Sequence, residues 1–264
     1  MCVPHSHGSV VGMAEAHTLG VVGTGALGAA LAAAALDHGI ATSVWNRTPG
    51  KARHLVDAGA TPRPTIADLV GSSRVVVIAV STYADVRSIL DDTANVSGRT
   101  IVNLSSGTPD DAVALAGEVH RRGGRYLDGA AMSGTRLVGE PSATFFYSGD
   151  PEAFDDARNI LAAFGKPLFL GADPATASGY DTAVFGMILG FLTASYQAMA
   201  LLRRQGIGTE VQRISEGRQH ISRTVEGLRV ATVKERGRRF ADQSGAAHRR
   251  PVEIAAAAAV DLPG

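Results

Sequence analysis

The chain has 264 residues, 45% of them hydrophobic and 19% charged, which is an ordinary composition for a globular protein of one or two domains. The 25 Lys and Arg residues balance the 25 Asp and Glu residues, so net charge gives no reason to expect a nucleic-acid partner. Cys2 is the single cysteine, which excludes an intrachain disulfide and fits a reducing cytoplasm, where we expect the protein to act.

The first residues carry neither a basic start nor a long apolar segment, so they do not match a secretory signal. We expect residues 1–16 to form a flexible tail. A nucleotide-binding domain over residues 17–172 and a helical domain over residues 173–264 are expected to follow.

A glycine-rich turn follows the first predicted strand, residues 19–22, and opens an Ala-rich helix. Gly23, Gly25 and Gly28 match the G-x-G-x-x-G pattern of dinucleotide-binding folds. Gly23 permits the tight turn, Gly25 lets the backbone approach a pyrophosphate, and Gly28 lets the helix pack closely on the strand. We predict that five residues bind the cofactor here: Gly23, Gly25, Ala26, Leu27 and Gly28.

The residues after the second predicted strand, Ala41–Trp45, indicate which dinucleotide binds. NAD-binding folds place an Asp or Glu there to bind the ribose diol. This chain instead has Asn46, Arg47 and Thr48, with Lys51 close behind. Arg47 can pair with a 2′-phosphate, and its two neighbours can add hydrogen bonds, so the sequence favours NADPH over NADH.

Further strands are predicted in SRVVVIAVS, RTIVN, RYLDGAAMSGT, SATFFYSG and KPLFLG. Ser106 or Thr108 is expected to cap the helix after the second of these, with Pro109 in its first turn. Strands that alternate with helices predict a doubly wound α/β sheet, in which ligands lie beyond the carboxyl ends of the strands. The residues at such ends are Val80, Ser81, Asn103, Ser105, Ser106 and Ser133.

The chain after Gly171 reads as helices: residues 175–204, then 209–237 and 246–260. Residues 182–202 contain no Asp, Glu, Lys, Arg or His, a run long enough to cross a bilayer, which needs roughly 20 apolar residues. Its Thr, Ser, Tyr and Gln residues favour a buried helix instead of a membrane span. Because so small a helical half cannot cover this helix, we expect a homodimer.

Asp181 stands at the start of this uncharged run and directly follows Tyr180. It could be an N-terminal cap of the helix, a membrane boundary or a catalytic group. Capping alone would contribute about 0.5–2 kcal/mol.

Five segments resemble, in order and spacing, the NADPH-dependent imine reductases, a branch of the β-hydroxyacid dehydrogenase superfamily: VVGTGALGAALA, WNRTPGKA, VNLSSGTPDDA, YLDGAAMSG and GYDTAVFGMILG. The resemblance implies an N-terminal Rossmann domain, a long interdomain helix, and an all-α C-terminal domain that swaps with its partner in a homodimer. Two features depart from the family. AMSGT is closer to the Ser-Gly-Gly of the hydroxyacid dehydrogenases, and the VDLP stretch is followed by no further helix. A shorter C-terminal domain would leave the active site more open or require another partner.

The resemblance also gives Asp181 a chemical meaning. Related hydroxyacid dehydrogenases carry a Lys near the start of the long helix, where this chain has Asp181. A cationic Lys stabilises the negative charge that develops on a carbonyl oxygen, whereas a carboxylate stabilises a positive iminium. An apolar setting also favours the protonated carboxyl, which can act as an acid. Asp181, Tyr180 and Ser133 are therefore the predicted catalytic residues.

The predicted function is NADPH-dependent reduction of the C=N bond of a small imine or iminium, with Asp181 as proton donor or stabilising carboxylate. We predict no metal site. Two alternatives remain: a β-hydroxyacid or carbonyl oxidoreductase of the same superfamily, and a non-catalytic NADPH-binding protein.

Overall fold

The computed structural model describes residues 18–93 and 95–206. The predicted tail and the predicted helices over residues 209–237 and 246–260 lie outside the described residues. Within the described part, all the predicted strands and the long helix are confirmed.

Eight strands form one sheet in the order β3-β2-β1-β4-β5-β6-β7-β8. They are β1 (Thr18–Val22), β2 (Ala41–Trp45), β3 (Thr61–Pro62), β4 (Val75–Ile78), β5 (Thr100–Asn103), β6 (Arg125–Ala131), β7 (Thr144–Gly149) and β8 (Lys166–Phe169). All neighbours are parallel except β6 and β7. Residues 132–143, which join these two, hold a single short 3₁₀ turn instead of the crossover helix that parallel strands need.

Within the described residues, six α-helices connect and cover the strands, and a seventh follows β8. They are α1 (Ala26–Asp37), α2 (Arg53–Asp57), α3 (Ile66–Gly71), α4 (Tyr83–Asp91), α5 (Pro109–Arg121), α6 (Pro151–Phe164) and α7 (Ala175–Arg204). Of the two capping residues proposed for α5, Thr108 is the one observed. Its hydroxyl accepts a hydrogen bond from the Asp111 N–H at 3.2 Å.

The core lies on both faces of the sheet because the central strands are buried on both sides. In β4, Val75 and Val77 pack with α1 and α6, whereas Val76 and Ile78 pack with α3, α4 and α5. Apolar side chains on both faces explain the near-continuous Val and Ile run in the sequence. Consecutive strands fall on opposite sides of β1, so the sheet has its topological switch point between β1 and β4.

Helix α7 is 30 residues long, and its large apolar side chains are mostly exposed in the single chain. By length and composition it could cross a membrane, but one such helix is weak evidence, since core helices of soluble proteins meet the same criterion. Contacts divide the chain after Leu192. The first unit holds the sheet and the start of α7, and the described part of the second unit is residues 193–206.

Candidate functional site

A cleft of about 480 Å³ lies beyond the carboxyl ends of β1, β2 and β4, at the switch point of the sheet. Ten of the thirteen predicted cofactor-binding residues line it: Gly23, Gly25, Ala26, Leu27, Asn46, Arg47, Thr48, Lys51, Val80 and Ser81. This is the position where open α/β sheets bind dinucleotides.

The glycine turn has the close packing that its sequence predicts. Gly23 has φ +90°, and a Cβ there would lie 2.5 Å from the carbonyl oxygen of Ala79. A Cβ on Gly28 would lie 1.9 Å from the carbonyl oxygen of Gly23, so Gly28 brings α1 against the turn and does not itself line the cleft.

Gly25 has a different environment from its two neighbours in the motif. A Cβ on Gly25 would meet no atom of the described chain within 4 Å, so bare backbone faces the cleft at this point. Gly25 is also the N-cap of α1, and no side chain caps the first N–H groups of that helix. Uncapped N–H groups at a helix start favour an anion, so the turn fits a pyrophosphate.

The loop after β2 supplies the positive charge of the cleft. Arg47, Thr48 and Lys51 are exposed and line the cleft. The Asn46 amide has backbone partners at both ends: its Oδ1 accepts from the Thr24 N–H at 3.0 Å, and its Nδ2 donates to the Thr48 carbonyl at 2.9 Å. Asn46 therefore joins the loop to the glycine turn, in addition to its place in the lining.

Asn103 and Ser105 support the wall of the cleft and do not line it. The Ser105 hydroxyl accepts from the Val80 N–H at 3.2 Å, and the Asn103 Oδ1 accepts from the Ser105 N–H at 3.1 Å. Asn103 is fully buried, and its Nδ2 has no hydrogen-bond partner in the described chain. These contacts fix the ends of β4 and β5 relative to each other.

Sequence reasoning missed seven lining residues: Trp45, Ile66, Ala79, Asp85, Ser88, Ile89 and Asp92. Four of the seven follow the i, i+3, i+4, i+7 spacing of one helix face, a signal that could have found them: Asp85, Ser88 and Ile89 of α4 and its C-cap, Asp92. Ile66 begins α3, four residues after the two-residue strand β3, and carries no comparable signal.

None of the three predicted catalytic residues lines this cleft, and two of them, Tyr180 and Ser133, contact β7. Tyr180 packs edge-on against Phe146, with ring centroids 5.6 Å apart. Ser133 accepts a hydrogen bond from the Thr144 N–H at 3.1 Å and so holds the connection between β6 and β7. Asp181 is half-buried in the second turn of α7.

The N-cap interpretation of Asp181 is wrong, because α7 begins six residues earlier, at Ala175. Asp173 performs that role: its Oδ1 accepts from the Ala175 N–H at 3.0 Å, and its carbonyl accepts from the Thr176 N–H at 3.1 Å. The Ser148 hydroxyl accepts from the Ala177 N–H at 2.9 Å.

A second carboxylate, that of Asp128, contacts the start of α7 and was not predicted. It lies in β6, is 1% exposed, and accepts hydrogen bonds from Tyr83, Tyr126 and Ser178. Burial raises the pKa of Asp128, and these hydrogen bonds oppose that shift. Burial beside the same carboxylate also raises the pKa of Tyr83 and Tyr126. The sequence signal was a lone acid between the uncharged residues 126–127 and 129–131 of β6.

Comparisons with known proteins agree with this geometry. A family model for the NAD binding domain of 6-phosphogluconate dehydrogenase matches residues 18–174. An NADPH-dependent reductive aminase from Aspergillus oryzae is 37% identical over 187 residues. The match covers 70% of this chain and 63% of that relative, so the chain spans less than two thirds of the relative's length.

Solved structures show the same likeness. A reductive aminase from Aspergillus terreus in complex with NADPH and ethyl levulinate is 32% identical, with a TM-score of 0.72 over 83% of this chain and 78% of that one. An imine reductase from Myxococcus stipitatus in complex with NADP⁺ is 31% identical, with a TM-score of 0.72 over 84% and 78%. Within residues 18–93 and 95–206, no group of three or more His, Cys, Asp or Glu side chains is placed to hold a metal ion.

Proposed function

The chain belongs to the imine reductases and reductive aminases of the β-hydroxyacid dehydrogenase superfamily, and we propose from this that it reduces the C=N bond of a small imine or iminium with NADPH. The single observation that carries the proposal is the sign of the charge at the start of α7. Asp181 stands there, and α7 has no cationic residue before Arg203.

The residues of the cleft fit NADPH, which supplies the hydride when it is bound. The bare backbone at Gly25 and the uncapped N–H groups of α1 suit the pyrophosphate. Arg47 and Lys51 supply the charge that a 2′-phosphate requires. The first acidic residue after β2 is Asp57, so the usual carboxylate that binds a ribose diol is not in the loop.

Asp181 suits a substrate that begins positive and ends neutral. At about 4 Å and an effective dielectric near 20, a carboxylate and an iminium attract by roughly 4 kcal/mol. In its protonated form, Asp181 would instead donate the proton that the amine nitrogen gains. Both roles require an acidic side chain at this position. A carbonyl substrate develops negative charge on its oxygen, so a cationic side chain would stabilise its transition state better.

Tyr180 and Ser133 are proposed to complete the substrate side. Tyr180 directly precedes Asp181 in the chain, and the packing of its ring against Phe146 fixes the ring in place. We expect this ring to form a wall of the substrate pocket. The Ser133 oxygen already accepts from the Thr144 N–H, which leaves its hydroxyl hydrogen to donate to a substrate.

We propose that α7 is buried in a cytoplasmic homodimer that swaps helical domains. What supports this is the exposure of Phe185, Met187, Ile188 and Leu189, each at least half exposed in the single chain. Contiguous apolar surface of this kind usually marks an interface. Size-exclusion chromatography with light scattering should give the mass of two chains. A stable monomer would contradict the dimer.

A substrate panel tests the proposed activity. The purified chain with NADPH should reduce a cyclic imine such as 2-methyl-1-pyrroline, followed by the loss of NADPH absorbance. Turnover of short β-hydroxyacids or their ketoacids, with none of the imine, would instead favour the hydroxyacid dehydrogenase alternative. Tight NADPH binding without turnover of either class would favour the non-catalytic alternative.

A further inference from the structure

The carboxylate of Asp128 binds the backbone of α7 in the first turn of that helix. Its Oδ2 accepts from the Ser178 N–H at 3.1 Å and also from the Ser178 hydroxyl. A helix leaves its first four N–H groups without partners inside the helix. In α7 three of these groups are bound by Asp173 and Ser148, and the fourth, that of Ser178, is bound by Asp128.

The other oxygen of Asp128 reaches the wall of the cofactor cleft. Oδ1 accepts from the hydroxyls of Tyr83 and Tyr126, the latter at 2.9 Å. Tyr83 is the first residue of α4, whose Asp85, Ser88 and Ile89 line the cleft together with its C-cap, Asp92. A Cβ on Gly107 would lie 2.2 Å from the Tyr83 ring, so the ring also touches the loop after β5. Asp128 thus connects the cleft wall to the first turn of α7.

We infer that Asp128 is a positioning residue for the proposed reaction: by holding the Ser178 backbone it sets where Asp181 stands relative to the cofactor cleft. Asp181 follows Ser178 by three residues, about 4.5 Å along the axis and on the same side of the helix. A rotation or shift of the first turn therefore moves the Asp181 carboxylate with it. The inference rests on the proposed function, because the position of Asp181 matters only if that acid acts on the substrate.

Two variants loosen this link to different degrees. Ser178→Ala removes the hydroxyl but keeps the N–H, so one of the four hydrogen bonds to Asp128 is lost, together with the 3.3 Å contact between the Ser178 and Tyr83 hydroxyls. Asp128→Asn replaces one carboxylate oxygen with an NH₂ group, which donates hydrogen bonds. Because every present partner of Asp128 is also a donor, the NH₂ group cannot replace the lost acceptor. Asp150→Asn is the matched control, because Asp150 accepts from the N–H groups of Glu152 and Ala153 at the start of α6, which does not line the cleft.

The experiment measures kcat for the cyclic imine, the Kd of NADPH and amide hydrogen exchange in the full chain. We expect Ser178→Ala to lower kcat about fivefold and Asp128→Asn more, with the Kd of NADPH within twofold of the wild type. Amides of residues 178–185 should exchange faster in both variants. Asp150→Asn should change none of these values. If Asp128→Asn does not fold, Ser178→Ala carries the test.

A background variant separates positioning from a general loss of structure. In Asp181→Asn, adding Ser178→Ala should lower the residual kcat by less than twofold, because the acid that is positioned has already been lost. An equal fall in both backgrounds, or an unchanged kcat in Ser178→Ala, would overturn the inference while the proposed function stands. A wild-type chain that does not reduce the imine would overturn both.

Discussion

The side chain of Asn46 accepts a hydrogen bond from the backbone N–H of Thr24 at 3.0 Å, across 22 residues of sequence. This bond joins the glycine turn that fits the pyrophosphate to the loop that carries Arg47 and Lys51. Together with the backbone hydrogen bond from the Gly23 N–H to the Trp45 carbonyl at 2.9 Å, this amide sets the spacing of the two halves of the proposed NADPH site.

Asn46→Ala should weaken the binding of NADPH and NADH alike. The change removes the acceptor for Thr24 and the donor to the Thr48 carbonyl, while the backbone bond from the Gly23 N–H to the Trp45 carbonyl stays. The cofactor must then order the loop as it binds, at a cost of at most the two lost bonds, about 1 kcal/mol each, so the Kd should rise severalfold and by up to about 30-fold for both cofactors. Fluorescence titration with each cofactor measures this. A loss confined to NADPH would show that Asn46 instead acts directly on the 2′-phosphate.

Arg47→Ala should weaken NADPH alone. A charge-assisted hydrogen bond contributes about 1.5–3 kcal/mol, so the Kd of NADPH should rise roughly 10- to 100-fold while that of NADH stays the same. Lys166→Ala is a suitable control, because it removes one exposed positive charge on β8, away from the cleft lining. Equal losses for the two cofactors would place Arg47 outside the 2′-phosphate site.

Gly25→Ala and Gly28→Ala should separate binding from folding. The added methyl at Gly28 would lie 1.9 Å from the Gly23 carbonyl, so this variant should unfold at much lower temperature or fail to accumulate. At Gly25 the methyl meets no atom of the described chain, and its φ of −70° suits alanine, so stability should be kept. The same methyl occupies the cleft and should abolish NADPH binding. Thermal unfolding with and without NADPH measures both effects.

Asp181→Ala should lower imine turnover at least 100-fold with the Kd of NADPH unchanged. Loss of roughly 3–4 kcal/mol of charge stabilisation of the iminium gives that magnitude. Since α7 is capped by Asp173 and not by Asp181, the variant should also keep its helix start. Stopped-flow or steady-state loss of NADPH absorbance measures the rate. Turnover near that of the wild type would reject the proposed role of the acid.

The sequence predicted the nucleotide-binding half well because its signals are local. A strand, a glycine turn and a helix are adjacent in the chain, and the charge of Arg47 comes directly after β2. The hydrogen bonds of Asp128 with Tyr83 and Ser178 were out of reach, because they join residues 45 and 50 positions apart. Nothing in the residues around Tyr83 or Ser178 shows that their side chains meet. The hydrogen bond between the Thr24 N–H and the Asn46 side chain was missed for the same reason, because it joins residues 22 positions apart.

The pH dependence of stability tests whether burial outweighs hydrogen bonding at Asp128. Burial raises the folded-state pKa of Asp128 above its usual 3.8, so the folded state holds this proton more tightly than the unfolded chain does. The free energy of unfolding of the wild type, relative to Asp128→Asn, should therefore be greatest below pH 3.8 and fall as pH rises through the raised pKa. Urea unfolding of both proteins across pH 3.5–7.5 measures this difference. Asp111 and Asp156, whose pKa values are lowered, contribute the opposite slope, but they are present in both proteins and cancel. A difference that grows with pH would show that the four hydrogen bonds outweigh burial, and that folding favours the ionised carboxylate at the start of α7.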